Sequence, residues 1–149
     1  MFKLNKKLIL GSNSPRRKEI LKLAGFEFDV VVKEVAENFP EYIAPEEVPV
    51  YLAELKSNAF QNMAADICVI TADTVVILNG SILGKPKDEN EAANMLQKMS
   101  GKEHKVVSGV SIKLDKNRIS FSDITTVKFR QLSNNEIDYY ISNYKPMDK

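Results

Sequence analysis

The sequence predicts a mixed α/β fold in which helices pack on a twisted sheet. Short apolar runs with strand character alternate with segments whose apolar residues recur every three or four positions. The predicted order is strand, helix, strand, helix, strands, helix, strands, helix. The 149 residues contain no internal repeat and no low-complexity linker, so we expect one domain over residues 1–149.

The first two predicted elements are joined by a small polar turn. Residues 8–10 form a short apolar strand, and a helix is predicted over residues 15–24. Ser14 takes the N-cap position and Pro15 the first helical position, which is a favoured pairing. Gly25 is the expected end of this helix.

A second strand and an amphipathic helix are predicted next. Residues 28–32 form a β-rich apolar run, whereas residues 33–47 are polar, contain two prolines and are expected to be irregular and exposed. A long helix is predicted over residues 49–64. Its apolar residues form one stripe: Val48, Leu52, Leu55, Ala59 and Met63.

The remaining elements follow from apolar runs and capping signals. Residues 67–71 predict a buried strand, and residues 75–83 predict a hairpin around Asn79-Gly80. A helix is predicted next, which Asp88 opens with Glu91 as its capping partner and Gly101 ends. Two strands follow over residues 105–114 and 119–130, joined by a turn at 115–117. A last helix is capped by Ser133 and Glu136. The residues expected to face inward are Ala92, Met95, Leu96 and Met99, then Ile137, Tyr140 and Ile141.

Composition and charge exclude several classes of function. The net charge is +1 with acids and bases interspersed, which argues against a nucleic-acid-coating surface or a polybasic membrane anchor. No apolar run approaches the length of a bilayer span, and the N-terminus has no signal-type apolar segment, so we expect a cytoplasmic protein. The lone Cys68 is expected to be a small buried apolar residue, and a structural zinc site is not expected.

The turn before the first helix has the chemistry of a phosphate site. Arg16 and Arg17 lie in the first helical turn, where a cation is unfavourable unless an anion joins it. Backbone N–H groups, the hydroxyls of Ser12 and Ser14 and two guanidinium groups surround this turn, and Gly11 would allow close approach of a ligand. The alternative is a solvated basic helix start.

Other candidates carry weaker local signals. Asp73 follows the predicted buried strand and could bind a hard cation or orient a water, or it could simply turn the chain. Lys85, between glycine and proline, suits phosphate contact but resembles many surface lysines. Lys56 borders an apolar helix face and could be a snorkelling side chain, and Glu37 could be merely solvated. The only histidine, His104, is expected to be structural or solvent-facing.

Taken together, these segments resemble one family. The string LILGSNSPRRKEIL at residues 8–21 resembles the opening motif of the Maf family, the septum-formation-inhibitor-like nucleotide pyrophosphatases. The segments that continue the match are ADTVV at 72–76, LGKP at 83–86, Met95-Leu96 to Ser100-Gly101, His104 with Val106 and Val107, and PMDK at 146–149. The resemblance covers essentially the whole chain.

The resemblance implies a fold, a reaction and a cofactor. The fold would be mixed α/β with a cleft between two lobes, related to the inosine-triphosphate pyrophosphatases. The reaction would convert a nucleoside triphosphate to the monophosphate and pyrophosphate with a divalent cation, Mg²⁺ or Mn²⁺. A role in removing noncanonical nucleotides and a link to cell-division arrest are also implied. Relatives are commonly dimeric, so a homodimer is expected.

The same resemblance assigns roles to residues. Asp73 would be the proton acceptor, and Glu37 would join it in binding the metal or a water. The phosphate chain would be held by Ser12, Arg17 and Lys85, with Lys56 matching the family's lysine on the long helix. Arg16 and Thr74 match two positions of the branch that acts on dTTP and UTP.

Three departures and two alternatives accompany this assignment. Thr71 stands where the family often has glycine. Ala36 stands where the family has the first acid of a pair completed by Glu37. The family pattern continues beyond Lys149, so we expect the last part of the fold to be missing and apolar surface around residues 137–141 to be exposed. The alternative functions are a non-catalytic nucleotide-binding or division-regulating module, and a pyrophosphatase acting on 7-methyl-GTP, whose branch has a tryptophan in the S-P-W-R-R loop.

Overall fold

The computed structural model describes residues 5–146 and confirms the predicted order of elements. The strands and helices are β1 (Lys7–Leu10), α1 (Pro15–Leu23), β2 (Asp29–Val30), α2 (Val48–Asn58), β3 (Ile67–Leu78), β4 (Ser81–Leu83), α3 (Glu89–Met99), β5 (Glu103–Leu114), β6 (Asn117–Lys128) and α4 (Asn134–Tyr144). Met147, Asp148 and Lys149, which carry the end of the family resemblance, lie outside the described residues.

The strands form one mixed sheet, as predicted. The strand order is β2-β1-β3-β5-β6, and β4 pairs with β3. β1 is parallel to both β2 and β3, whereas β4 is antiparallel to β3. In the β1–β3 register Leu10 lies opposite Ile70. The turn after β1 therefore starts beside Thr71, and the next residues of β3 are those of the candidate site.

The chain divides into two compact units. One contains the residues up to Thr74 together with Ser108–Asp123, and the other contains Val75–Val107 together with the residues from Ile124 onward. Every candidate site residue except Lys85 belongs to the first unit. The assignment of residues 1–149 to one domain stays a prediction.

The first unit has a small apolar core around Phe60. Ile9, Phe60 and Val69 are buried, with Met63 and Ile67 packed against them. The predicted helix over residues 49–64 is wrong at its end, because α2 stops at Asn58 and Phe60 turns into this core. Asn62 then has φ 55°, a left-handed conformation that a helix does not contain.

The face that α2 buries also differs from the predicted stripe. Val48 and Leu52 are buried as expected, but the other buried positions are Pro49, Ala53 and Ser57. Leu55 and Ala59 are half-buried. The buried face therefore still follows helical spacing, rotated toward the side that carries Lys56.

The second unit packs α3 against α4. Ala92, Ile137 and Ile141 form its buried cluster, with Leu96 packed against it. Tyr140 was predicted to face inward and is instead 37% exposed, stacked on Tyr144. The expectation of exposed apolar surface around residues 137–141 holds for the tyrosines of α4 but not for the two isoleucines.

Several strand boundaries differ from prediction for physical reasons. β2 has two residues instead of five because it pairs with β1, which ends at Leu10. The hairpin turn at Asn79-Gly80 is confirmed, with φ of 51° and 79°. The β5–β6 turn holds two residues, since Asp115 takes φ 53° and Asn117 already belongs to β6.

The structure also tests the predictions made for Cys68, for His104 and for membrane-spanning helices. Cys68 is half-buried, and burial raises the pKa of its thiol. His104 is buried edge-on against Phe129, and burial lowers the pKa of its imidazole. Over residues 5–146, no helix is both long and apolar enough to cross a bilayer.

Glu136 provides a pH-dependent test of the α4 cap. Its hydrogen bonds to Arg130 and to Ser133 lower the pKa of its carboxyl to about 2. The stabilisation is therefore fully present above the unfolded pKa near 4.5 and is lost as the pH falls toward 2. We expect Glu136→Gln, which keeps a capping side chain, to lower the free energy of unfolding at pH 6 but not near pH 2.

Denaturant titrations at several pH values measure this difference. Glu89→Gln in the first turn of α3 is the matched control, because no contact of its side chain is described. An equal effect of Glu136→Gln at pH 6 and pH 2 would contradict the charge-based explanation.

Candidate active site

The turn between β1 and α1 is organised by the hydroxyl of Ser12. This side chain is 8% exposed, and its Oγ accepts hydrogen bonds from the backbone N–H of Ser14 at 3.2 Å and from Arg17 Nη1 at 3.1 Å. Ser14 and Pro15 hold the predicted N-cap and first helical positions, but the Ser14 hydroxyl makes no capping hydrogen bond within the described structure. The Ser12 hydroxyl therefore organises this turn, and the Ser14 hydroxyl does not cap α1 in the described structure.

Gly11 serves packing in the structure. A Cβ at this position would lie 2.8 Å from Thr71 Cγ2 and 3.2 Å from the Phe60 ring. Gly11 was predicted to let a ligand approach the backbone closely. On this side the space is instead occupied by the side chains of Thr71 and Phe60. The missing side chain thus lets the end of β1 lie directly against β3.

Arg17 connects this turn to β3. Its Nη1 donates to the carbonyl oxygen of Ala72 at 2.8 Å, and its Nη2 donates to Thr74 Oγ1 at 3.3 Å. Burial lowers the pKa of the guanidinium, and the nearby carboxylates of Asp73 and Glu37 partly oppose that shift. Arg17 therefore forms hydrogen bonds with the residues on either side of Asp73. It also interacts electrostatically with the carboxylates of Asp73 and Glu37.

Asp73 lies inside a strand, so the alternative that it turns the chain is wrong. β3 runs without interruption from Ile67 to Leu78. Side chains two residues apart in a strand share a face, which places Thr71 and Asp73 on the same side of β3. Their contacts agree, because Thr71 Oγ1 donates to the Ala53 carbonyl of α2 at 2.7 Å and Asp73 reaches Lys56 of the same helix.

Lys56 joins the two candidate acids. Its Nζ lies 2.6 Å from Asp73 Oδ1 and 3.0 Å from Glu37 Oε1. The side chains of Lys56 and Asp73 are 16% and 13% exposed, whereas that of Glu37 is 54% exposed. The snorkelling alternative for Lys56 is therefore wrong, since its side chain is largely buried and its ammonium is paired with two carboxylates.

A further hydroxyl, Ser108, was missed by the sequence analysis. Its Oγ lies 3.0 Å from Thr74 Oγ1, next to the Arg17 contact. A serine within an apolar strand such as β5 carries no sequence signal that separates it from an ordinary strand residue. Only the strand pairing places it beside Thr74.

Arg16 and Lys85 were also predicted for the site. Arg16 is exposed, and the structure describes no hydrogen bond or ion pair for it within residues 5–146. Lys85 is exposed and follows β4 in the second unit. The described cluster consists of Ser12, Arg17, Glu37, Lys56, Asp73 and Thr74, with Ser14 bonded to it through its backbone.

The two acids present a donor set that fits a hard cation. Oxygen ligands suit Mg²⁺ and Mn²⁺, and Mg²⁺ commonly uses one or two carboxylates together with substrate phosphates. Asp73 and Glu37 already share one cationic partner, the ammonium of Lys56. Residues 5–146 contain no group of three or more His, Cys, Asp or Glu side chains arranged as a metal cage.

The family of the chain follows from comparison with known proteins. The model of the family described as "Maf-like protein" matches residues 7–149. The chain belongs to the Maf-like protein family. This agrees with the motif resemblance of the SNSPRR turn and the ADTVV segment, which hold Ser12, Arg17, Asp73 and Thr74.

Relatives of this Maf-like chain are named as pyrophosphatases. A dTTP/UTP pyrophosphatase of Phocaeicola vulgatus is 48% identical over 145 residues, covering 96% of this chain and 75% of the relative. One from Porphyromonas gingivalis is 46% identical over 147 residues, covering 96% and 74%. One from Bacillus pumilus is 46% identical over 142 residues, covering 95% and 75%.

Solved structures support the fold of the Maf-like chain. The Staphylococcus aureus Ham1 protein aligns with a TM-score of 0.55 at 16% identity, covering 83% of this chain and 71% of that one. A HAM1 protein from Coxiella burnetii aligns with a TM-score of 0.54 at 12% identity, covering 83% and 72%. At these identities the likeness concerns the fold alone.

Proposed function

We propose that this Maf-like protein is a dTTP/UTP pyrophosphatase, which hydrolyses its substrate to the nucleoside monophosphate and pyrophosphate. One observation carries the proposal: Arg17 is hydrogen-bonded to Ala72 and Thr74, on both sides of the Asp73 carboxylate. These hydrogen bonds support a site in which Arg17, the proposed phosphate-binding group, lies next to Asp73, the proposed proton acceptor. Relatives at 43–48% identity with the name dTTP/UTP pyrophosphatase support the same reaction.

The phosphate chain is proposed to bind at the basic turn. A guanidinium has five N–H donors, and three are used in the described contacts with Ser12, Ala72 and Thr74. Two remain, the number required for a bidentate contact with phosphate. Ser14 and Lys85 are proposed to add further contacts, while Arg16 and Thr74 are proposed to favour dTTP and UTP.

Asp73 is proposed to accept the proton of the attacking water. Its described contact uses Oδ1, which Lys56 holds at 2.6 Å, and this leaves Oδ2 to accept a proton. The water oxygen forms a bond to the α-phosphorus while the bond to the pyrophosphate oxygen breaks. Lys56 positions the carboxylate throughout, because it is anchored on α2 and also paired with Glu37.

Glu37 and Asp73 are the residues proposed to hold a divalent cation. A bound Mg²⁺ or Mn²⁺ offsets negative charge on the phosphate oxygens and favours ionisation of a water. Binding there competes with the Lys56 ammonium for the same two carboxylates. The cation, the cytoplasmic location, the homodimer, the role in removing noncanonical nucleotides and the link to division arrest remain predictions.

A substrate panel tests the proposed function. The chain is incubated with dTTP, UTP or 7-methyl-GTP and Mn²⁺, and released pyrophosphate is measured. We expect turnover of dTTP and UTP well above that of 7-methyl-GTP. Faster turnover of 7-methyl-GTP would favour the other branch, and tight binding of dTTP without turnover would favour the non-catalytic module.

Arg17→Ala tests the phosphate contact. We expect the affinity for inorganic tripolyphosphate to fall by about 100-fold, roughly 3 kcal/mol, because a charge-assisted bidentate contact is lost in a half-buried place. Isothermal titration calorimetry measures this affinity. Lys22→Ala, an exposed lysine near the end of the same helix, is the control and should bind tripolyphosphate like the wild type. Unchanged affinity in Arg17→Ala would remove the arginine from the proposed site.

A further inference from the structure

The hydroxyl of Thr74 lies between Arg17 and Ser108. Arg17 Nη2 is 3.3 Å from Thr74 Oγ1, and Ser108 Oγ is 3.0 Å from the same atom. A guanidinium only donates hydrogen bonds, so Thr74 Oγ1 accepts the one from Arg17. The second bond joins two hydroxyls, and either can donate it. Ser108 is therefore the next group beyond Thr74 in a chain of hydrogen bonds that ends at the guanidinium.

The backbone that carries Ser108 is held in close contact with α2. A Cβ on the neighbouring Gly109 would lie 2.2 Å from the carbonyl carbon of Pro49 and 2.3 Å from the nitrogen of Val50. This approach is closer than any side-chain-bearing residue would allow. Ser108 thus presents its hydroxyl from a fixed position on β5, whereas the side chain it contacts, Thr74, is exposed.

An exposed threonine hydroxyl has several rotamers and competing water partners, so it is a weak anchor by itself. A second hydrogen bond, shared with a hydroxyl on a fixed backbone, selects the rotamer in which Oγ1 faces Arg17. The orientation of Arg17 matters because its three described contacts use both N–H groups of Nη1 and one N–H of Nη2, and the remaining two N–H donors must face the phosphate.

We propose that Ser108 is a positioning residue for triphosphate binding, acting through the Thr74 hydroxyl on the orientation of the Arg17 guanidinium. The inference rests on the proposed function. It assigns to Ser108 no contact with the reacting atoms. Its loss should therefore weaken binding of the phosphate chain more than it slows the chemical step.

The test compares Ser108→Ala with Ser111→Ala. Ser111 lies on the same strand and is fully buried, and its Oγ has no hydrogen-bond partner among the described residues. We expect Ser108→Ala to weaken binding of inorganic tripolyphosphate and to raise KM for dTTP by about fivefold, the effect of one typical hydrogen bond, with kcat changed less than twofold. Ser111→Ala should match the wild type in both quantities.

Two further variants separate positioning from a general structural effect. Ser108→Thr restores the hydroxyl and should recover tripolyphosphate binding. Thr74→Val combined with Ser108→Ala should be no weaker than Thr74→Val alone, because both changes break the same chain of contacts. Wild-type affinity in Ser108→Ala, an equal loss in Ser111→Ala, or additive effects in the double variant would each overturn the inference.

Failure of the Ser108 inference can be distinguished from failure of the proposed pyrophosphatase activity. A wild-type chain that binds tripolyphosphate but does not hydrolyse dTTP contradicts the pyrophosphatase, while the binding comparison still decides the role of Ser108. A wild-type chain that binds no tripolyphosphate overturns the inference itself.

Discussion

Asp73→Asn is expected to reduce dTTP turnover by a factor of about 10² to 10⁴, the contribution typical of a positioned general base. Asparagine has nearly the same shape but cannot take up the proton of an attacking water. Binding of inorganic tripolyphosphate should stay within a few-fold of the wild type, because Arg17 and Ser12 retain their contacts with each other. Pyrophosphate release under saturating dTTP measures the loss.

The same substitution at Asp115 is the control. Asp115 lies in the β5–β6 turn and is exposed, so Asp115→Asn should leave turnover unchanged. Thermal unfolding of both variants shows whether the chain remains folded. Asp73→Asn should stay folded, since Lys56 keeps Glu37 as a partner. Substantial turnover by a folded Asp73→Asn protein would remove Asp73 from the role of proton acceptor.

Gly109→Ala is expected to destabilise the chain by about 3 kcal/mol or more, at the upper end of the cost of overpacking. The added Cβ would lie 2.2 Å from the carbonyl carbon of Pro49, 2.4 Å from its oxygen and 2.3 Å from the Val50 nitrogen. These are backbone atoms, so no side-chain rotation relieves the clash. Either β5 or the start of α2 must move. For a chain of this size the melting temperature should fall by about 10 °C.

Gly84→Ala is the matched control, because a Cβ there meets nothing within 4 Å. Its melting temperature should change by no more than a degree or two. Differential scanning calorimetry of the two variants gives the comparison. If Gly109→Ala melted like Gly84→Ala, the close contact between β5 and α2 would not exist in solution.

Local signals were sufficient where one short segment determines the structure. The N-cap position of Ser14, the Asn79-Gly80 turn and the capping box of Ser133 and Glu136 depend on neighbours in sequence, and all three were predicted correctly. The end of α2 was not, because Phe60 leaves the helix to fill a core made by distant strands. Tertiary burial there outweighs the helical pattern that continues to residue 64.

The candidate site shows the same limit. Arg17 was singled out from its place in a helix first turn, but its partners Ala72 and Thr74 lie 55 and 57 residues away. The Lys56 pairs with Asp73 and Glu37 depend on how α2 lies on β3, which neither segment encodes alone. Ser108 was missed because its contact with Thr74 depends on which strand lies beside β5, and the sequence around Ser108 does not specify that strand.

The position of Asp73 within a continuous strand has an energetic consequence. β3 lies between β1 and β5, and the Thr71 hydroxyl ties it to α2 two residues before the carboxylate. As the proposed base, Asp73 on this framework would have little freedom to reorient as charge moves during the reaction. Its surroundings would already be arranged when the chain folds, so the reaction barrier would contain less reorganisation energy than for a base on a mobile loop.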